Sequence, residues 1–241
     1  MRRAPAPRRP VRALPDLEAE RSLETDGWAP VAGIDEVGRG AWAGPVSVGV
    51  VVVPTDMAPP AGIRDSKLVP EHRRDALFEA VDRWCTAWAV GHAGPEECDR
   101  WGMTVALRMA AWRALEELPV RPAGLLLDGA HDYLTAPGTG EIGGGDAGDG
   151  PTPVVRTVVR GDATCVSIAA ASLVAKVTRD RMMRREADNF PAFDFDRNKG
   201  YPSPVHRTAL AGFGLTSIHR RSWSYVDRLP YRSSAPPDPA R

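Results

Sequence analysis

Apolar residues along this chain alternate between two rhythms. Val46 to Val53 is an almost unbroken run of apolar and β-branched residues (VSVGVVVV), which predicts a strand buried on both faces. A shorter strand, from about Pro30 into Asp35, lies close enough before it to pair as an antiparallel neighbour. Pro70 and Glu71 open a helix, EHRRDALFEAVDRW, that brings Leu77, Phe78 and Val81 to one face. CTAWAVGHA follows as a third strand, and then a long helical region from Pro95 to Leu118 with a break point at Gly102. GLLLDG, from Gly124, predicts a short buried strand ending on the carboxylate of Asp128. PVVRTVVRGD predicts a fifth strand, again ending on an acid, Asp162. A helix over Ala163 to Arg185 carries Ala169, Ala170 and Ala171, small enough to approach a sheet closely. Ser203-Pro204 has the N-cap and first-turn chemistry of a last helix ending near Gly212. An antiparallel start followed by alternating strands and helices predicts an α/β fold, a mixed five-stranded sheet flanked by helices.

The segments outside this pattern set the domain limits. Residues 1–27 are rich in Arg, Pro and Ala and are expected to be a disordered tail, with one domain over 28–230 and a second disordered tail over 231–241. Within the domain, 135–153 is too rich in Gly and Pro to pack and is expected to be a flexible insertion. No run approaches the roughly 18 apolar residues needed to cross a bilayer, and the N-terminal segment lacks the apolar core of an export signal. A cytoplasmic monomer with no membrane contact is the expectation. Cys85, Cys98 and Cys165 are odd in number and lack C-x-x-C spacing, which argues for reduced, mostly buried thiols.

Formal net charge is zero, so the chain is not a globally basic polyanion binder. The charges are nonetheless uneven: residues 153–228 hold 13 Lys or Arg against 7 Asp or Glu, clustered at Arg179 to Arg185, Arg197 to Lys199 and His219 to Arg221. That third of the chain is expected to offer a polyanion-facing surface, with Arg179 to Arg185 half solvated helix face and half duplex contact.

The candidate chemistry lies first in IDEVGRGAWAGP. Here Asp35 and Glu36 sit two residues from a Gly38-Arg39-Gly40 turn, between two predicted strands. Carboxylates hold divalent metal, and glycines let main-chain N–H groups approach a phosphate. Asp128 and Asp162, delivered by other strands, complete a set of four acids able to hold two divalent ions on one rim of the sheet. Oxygen-only donors favour Mg2+ or Mn2+ over zinc. Adjacent residues of a flat strand face opposite ways, so a strand end, a bulge or the longer reach of Glu36 must bring Asp35 and Glu36 to one centre. Asp180, about 27 Å along the same helix from Asp162 at 1.5 Å per residue, is assigned to a salt bridge with Lys176 or Arg181. Gly38-x-Gly40-x-x-Ala43 also fits a dinucleotide-binding fingerprint, with Asp56 placed for a ribose, but Pro45 and the β-branched run after it open a strand where that motif needs a helix.

Taken together, IDEVGRGAWAGPV, RDSK at Arg64 to Lys67, LLLDG, RGDATCVSIAAASLVAKVTRDR from Arg160, NKGY at Asn198 to Tyr201 and IHRRSW at Ile218 to Trp223 resemble the type II ribonucleases H over Val31 to about Val226. The resemblance implies a ribonuclease H-like fold and an endonuclease that hydrolyses the RNA strand of RNA/DNA hybrids and cleaves 5′ of ribonucleotides embedded in duplex DNA, leaving 5′-phosphate and 3′-hydroxyl ends. It implies Asp35, Glu36, Asp128 and Asp162 as catalytic, metal-holding acids. It further implies Gly38, Arg39, Gly40 and Tyr201 as readers of the junction between ribonucleotide and deoxyribonucleotide, and Ser66 and Lys67 as holders of flanking phosphates. The chain departs from the common pattern at Ala130, Arg160 and Asn198, none of which removes a carboxylate. Two rivals remain: a non-catalytic hybrid-binding module, disfavoured by the intact acids, and a transposase- or resolvase-type nuclease, disfavoured by the GRG and KGY motifs.

Overall fold

The computed structural model describes residues 14–135 and 153–229. Most of the expected insertion and all of the expected C-terminal tail lie outside these residues. The elements run α1 (Glu18–Thr25), β1 (Val31–Val37), β2 (Val46–Val52), α2 (Glu71–Trp84), β3 (Ala87–Ala93), α3 (Pro95–Glu117), β4 (Gly124–Asp128), β5 (Val154–Val158), α4 (Gly161–Thr164), α5 (Val166–Asn189), α6 (Phe195–Asn198) and α7 (Pro204–Phe213). The sheet order is β3-β2-β1-β4-β5. β2 is antiparallel to β1 and β3, while β4 and β5 continue parallel to β1. This is the mixed five-stranded sheet that the apolar pattern implies.

Alternation along β1 and β2 sorts the core into two layers. Ala32, Ile34, Val48 and Val50 face α3, where Ala106, Ala110, Ala111 and Ala114 present a small-residue stripe. Val51 and Val53 face α2 and α5 with Ala169, Ala170 and Ala171. Small residues matter because the helices lie almost on the strands: a Cβ at Gly33 would come within 2.1 Å of the Ser167 backbone, and one at Gly91 within 1.9 Å of the Ala110 carbonyl. Helix α3 is interrupted at Gly102 (φ 75°, ψ 166°), at the expected break.

Two expectations are corrected. Residues 18–25 of the expected tail form α1, because Leu17 and Leu23 are buried and Leu23 joins Val31, Leu126 and Ile168 in one cluster. A composition dominated by Arg and Pro further upstream hides these few apolar positions. Strand β5 also stops at Val158, short of Asp162: Arg160 adopts a left-handed conformation (φ 61°) that turns the chain into α4, and extended Cys165 separates α4 from α5.

Helix α1 is tied to that break. Asp16 N–H donates to the Thr164 carbonyl and the Val166 N–H donates to the Asp16 carbonyl, both at 3.0 Å. The fully buried Glu20 accepts from the Ser167 N–H (2.8 Å) at the start of α5, while Glu20 Oε2 and Ser167 Oγ lack a hydrogen bond. Burial raises the Glu20 carboxyl pKa, and its contact with Ser167 opposes that only in part. A raised carboxyl pKa favours the fold below the unfolded value, an advantage lost as pH rises through the folded value. Glu20→Gln keeps the acceptor, gives Ser167 Oγ a donor and removes the charge. It should stabilise the protein at neutral pH by about 1 kcal/mol, with the gain shrinking towards acid pH; urea denaturation at both ends of that range checks it, and a loss of stability at neutral pH would contradict the assignment.

Candidate active site

β1 loses its β4 neighbour after Ile34 but keeps β2 through Val37, so one edge of β1 is open from Asp35 onwards. Asp35 is 5% exposed and turned towards α5. Burial first, then repulsion from Glu36 and Asp128, pushes its carboxyl well above the usual range, against the Ser172 hydroxyl, which lowers it. Glu36 points to the other face, beside the fully buried Tyr133 phenol, whose ionisation burial and then the Glu36 charge oppose. Burial raises the Glu36 pKa too, countered by Arg39 at 3.5 Å. Asp128 ends β4, and its Oδ1 accepts from the Gly161 N–H (2.7 Å) and the Asp162 N–H (3.4 Å). The left-handed turn at Arg160 aims those two amides at Asp128. Asp162 is raised by burial and then by Asp128.

Asp128 is thus felt by Asp35, Glu36 and Asp162 alike, which draws together the four acids expected from the sequence. The opposite facing of Asp35 and Glu36 persists; the open edge and the end of β4 bring Asp128 to both. Among the described residues no three Asp, Glu, His or Cys side chains close into a ready cation cage. Hard divalent ions such as Mg2+ keep several waters and need only one or two carboxylates besides substrate phosphate. The oxygen-only donor set and the mutual repulsion of these acids fit such ions.

The loop after β1 is held by two buried guanidiniums. Arg179 of α5, fully buried, donates to the carbonyls of Ala43 (3.1 Å), Pro45 (2.8 Å) and Lys199 (2.8 Å). Arg220, equally buried, donates to those of Gly38 (2.7 Å), Arg39 (3.0 Å) and Gly44 (3.2 Å). Gly38 has φ 85°, and a Cβ there would lie 2.2 Å from the Arg179 Nε, so only glycine fits. Tyr201 closes the loop from outside: the Gly38 N–H donates to its hydroxyl (3.2 Å), and its ring edge lies 3.8 Å from where a Gly40 Cβ would stand. Arg39 and Gly40 are exposed, and among the described residues neither backbone N–H has a hydrogen-bond partner.

The expected basic surface is therefore largely spent inside. Arg179, Lys199 and Arg220 are buried, while Arg181 and Arg184 pair with Asp75 (2.7 Å) and Glu71 (2.6 Å). Asp180 is buried between Lys176 (2.6 Å) and Arg74 (3.6 Å), so Lys176 is its partner and Arg181 is not. Ser66 departs from its expected phosphate role: it is 3% exposed and its hydroxyl meets Ser172 Oγ at 2.9 Å, behind Asp35. Lys67 is exposed at the site. Burial works against its charge, but Asp65 and then Asp35, Asp162 and Asp128 outweigh it and push its pKa up. Asn198 pins the turn before Tyr201, its Nδ2 donating to the Phe193 carbonyl (2.6 Å) and its Oδ1 accepting from the Gly200 N–H (2.8 Å).

Sequence reasoning missed Ser172, Tyr133 and the structural roles of Arg179 and Arg220. For Arg179 a signal existed: it falls on the α5 stripe Ser172, Ala175, Arg179, Met183, at helical spacing among small and apolar residues. Arg179→Lys, whose ammonium cannot span three diverging carbonyls, should cost about 2–3 kcal/mol of stability and lower cleavage at every salt concentration. Arg185→Lys, at an exposed neighbour, should change neither. An Arg179→Lys defect confined to salt-sensitive substrate affinity, with stability intact, would return Arg179 to duplex contact.

A family model described as Ribonuclease HII matches residues 32–226. Ribonuclease HII of Streptomyces avermitilis is 51% identical over 217 residues, covering 90% of this chain and 86% of that protein. Ribonuclease HII of Thermus thermophilus is 40% identical, covering 89% and 97%. Among solved structures, the ribonuclease H2 of Pyrococcus horikoshii superposes with a TM-score of 0.65 at 25% identity, over 82% of this chain and 95% of that one. The ribonuclease HII solved in complex with PCNA from Archaeoglobus fulgidus gives 0.59 at 26% identity, over 80% and 94%. With the ribonuclease H-like sheet and this likeness over nearly the whole domain, the chain belongs to the ribonuclease HII family and is a type II ribonuclease H.

Proposed function

We propose that this protein hydrolyses the RNA strand of RNA/DNA hybrids and cuts on the 5′ side of ribonucleotides embedded in duplex DNA, leaving 5′-phosphate and 3′-hydroxyl ends. The observation that carries the reading is the convergence of Asp35, Glu36, Asp128 and Asp162 beside a glycine loop whose conformation is fixed from behind and whose outer amides face solvent. Two divalent ions held among the four carboxylates would supply Lewis acidity for an in-line displacement at phosphorus. Mn2+ and Mg2+ both suit the donors, and a Bst ribonuclease HIII of the same fold has been solved with Mn2+.

This chain's own residues do the rest. Asp35 and Asp128, on one face of the sheet edge, and Glu36 on the other would hold those ions where the reacting phosphate comes in. Lys67, kept cationic by those acids, offers a neighbouring phosphate a point charge that carries no sequence information. The Arg39 and Gly40 N–H groups would donate to a 2′-hydroxyl, which accepts as well as donates. The Tyr201 ring, anchored on Gly38, packs against the next sugar when that sugar lacks the hydroxyl. Ser66 is removed from the phosphate contacts and becomes support for Ser172 and Asp35.

A duplex carrying one ribonucleotide, incubated with protein and Mg2+ or Mn2+ beside all-DNA and all-RNA duplexes, tests the reading. Cutting of the all-DNA duplex, or of none, would refute it, and hybrid affinity without cutting would favour the non-catalytic module. Asp128→Asn should reduce turnover by at least about a hundredfold, the scale of a lost electrostatic contact at a reaction centre, while hybrid affinity stays near that of the unaltered protein. Full activity in that variant removes Asp128 from the site. Tyr201→Ala should lower cleavage at a lone ribonucleotide more than cleavage of a continuous hybrid; equal losses on both substrates would deny it the junction role.

A further inference from the structure

Tyr201 is aimed by a chain of hydrogen bonds whose protons the fold leaves no freedom to rearrange. The Thr216 N–H, which can only donate, points at His219 Nδ1 (3.0 Å), so that nitrogen is an acceptor. The proton of neutral His219 is then on Nε2, facing His206 Nε2 at 2.9 Å. His206 Nε2 must accept it, which places the His206 proton on Nδ1, 2.9 Å from the Tyr201 carbonyl. Both imidazoles are buried, and the rings of Phe193 and Phe195 surround them while Trp42 meets His206 edge-on. An added proton on either ring would set N–H against N–H in this apolar enclosure. Burial holds both pKa values down, that of His219 to about 3, with His206 and Arg221 contributing.

From this geometry we infer that His206 is a positioning residue for ribonucleotide selection: its Nδ1–H fixes the Tyr201 carbonyl, and His219 fixes the His206 tautomer. The inference rests on the junction role of Tyr201 proposed above. Tyr201 is held at its carbonyl by His206 and at its hydroxyl by Gly38, so its ring has one seat. Such a device acts on substrate choice, because the acids lie elsewhere.

The test separates the two nitrogens of His206. His206→Asn carries an N–H near the Nδ1 position and can still reach the Tyr201 carbonyl, whereas His206→Gln places its amide near Nε2 and reaches His219 instead. The readout is the ratio of kcat/KM at a lone ribonucleotide to that on a continuous hybrid. Asn should leave this ratio within about twofold, and Gln should lower it by about three- to tenfold, the net worth of one hydrogen bond. Gln combined with Tyr201→Ala should lose nothing beyond Tyr201→Ala alone. His219→Asn, which keeps the Thr216 contact but frees the His206 tautomer, should also lower the ratio, and it serves as the second variant should His206→Gln fail to fold. A folded Gln variant with an unchanged ratio, equal effects of Asn and Gln, or additive losses in the double variant would overturn this inference while leaving the junction role standing. Tyr201→Ala without effect on the ratio would overturn both.

Discussion

Two positive charges buried behind a glycine loop are the constraint on which the site depends. Arg179 and Arg220 are withdrawn from water and compensated by the carbonyl dipoles of the loop and of Lys199. Removing a guanidinium from water is expensive, and only a full set of well-aimed acceptors offsets it. The dependence runs both ways: the loop must present its carbonyls inward or strand the charges, and the charges hold the loop in a form no side chain larger than glycine permits at Gly38. With its carbonyls committed inward, the loop leaves the exposed Arg39 and Gly40 with backbone N–H groups that have no partner among the described residues.

Helix α5 carries this arrangement to the acids. The same helix presents Ser172 behind Asp35 and, two turns on, Arg179 behind the loop, while its backbone at Ser167 and Ile168 lies so close to β1 that Gly33 has no room for a Cβ. Its N-terminus is capped from outside by Glu20 of α1, beside the α4 turn that holds Asp162 against Asp128. Acids and loop are therefore registered to one rigid element, which suits a reaction where geometry errors of an ångström are costly. Packing alone would give the sheet; the polar groups on α5 give it an active edge.

The sheet was legible in the sequence because its signals are periodic. The Val46 run, the LLLD ending at Asp128, the helix break at Gly102 and the alanines of α5 follow from local chemistry that tertiary structure had no reason to override. Asp128 was legible as a strand-end acid from LLLDG, whereas Asp162 meets it from the α4 turn beyond β5, a turn that the run of apolar residues does not announce. Less legible was anything decided by burial of a polar residue. Arg179 and Arg220 look like surface charge in a basic stretch, and only their place among apolar neighbours distinguishes them. Ser66 has the composition of a loop contact but turns inward to Ser172. Helix α1 rests on two leucines and an unusually buried glutamate, too little periodicity to stand out beside a Pro- and Arg-rich segment.

The ionisable groups around the loop have opposite fates, and the division follows from what each can trade for lost water. The carboxylates keep an open strand edge, so their mutual repulsion, visible in the raised pKa values of Asp35, Glu36 and Asp162, can be relieved by cations and by the ammonium of Lys67. The histidines have each other, a tyrosine carbonyl, Thr216 and aromatic rings but no carboxylate, so they remain neutral, and their protons serve direction instead of charge. Titratable charge around the loop is thereby concentrated at the open strand edge, while the imidazole pair behind the Tyr201 carbonyl stays neutral: a contact whose protons do not move can stand beside carboxylates whose charge must answer to cations.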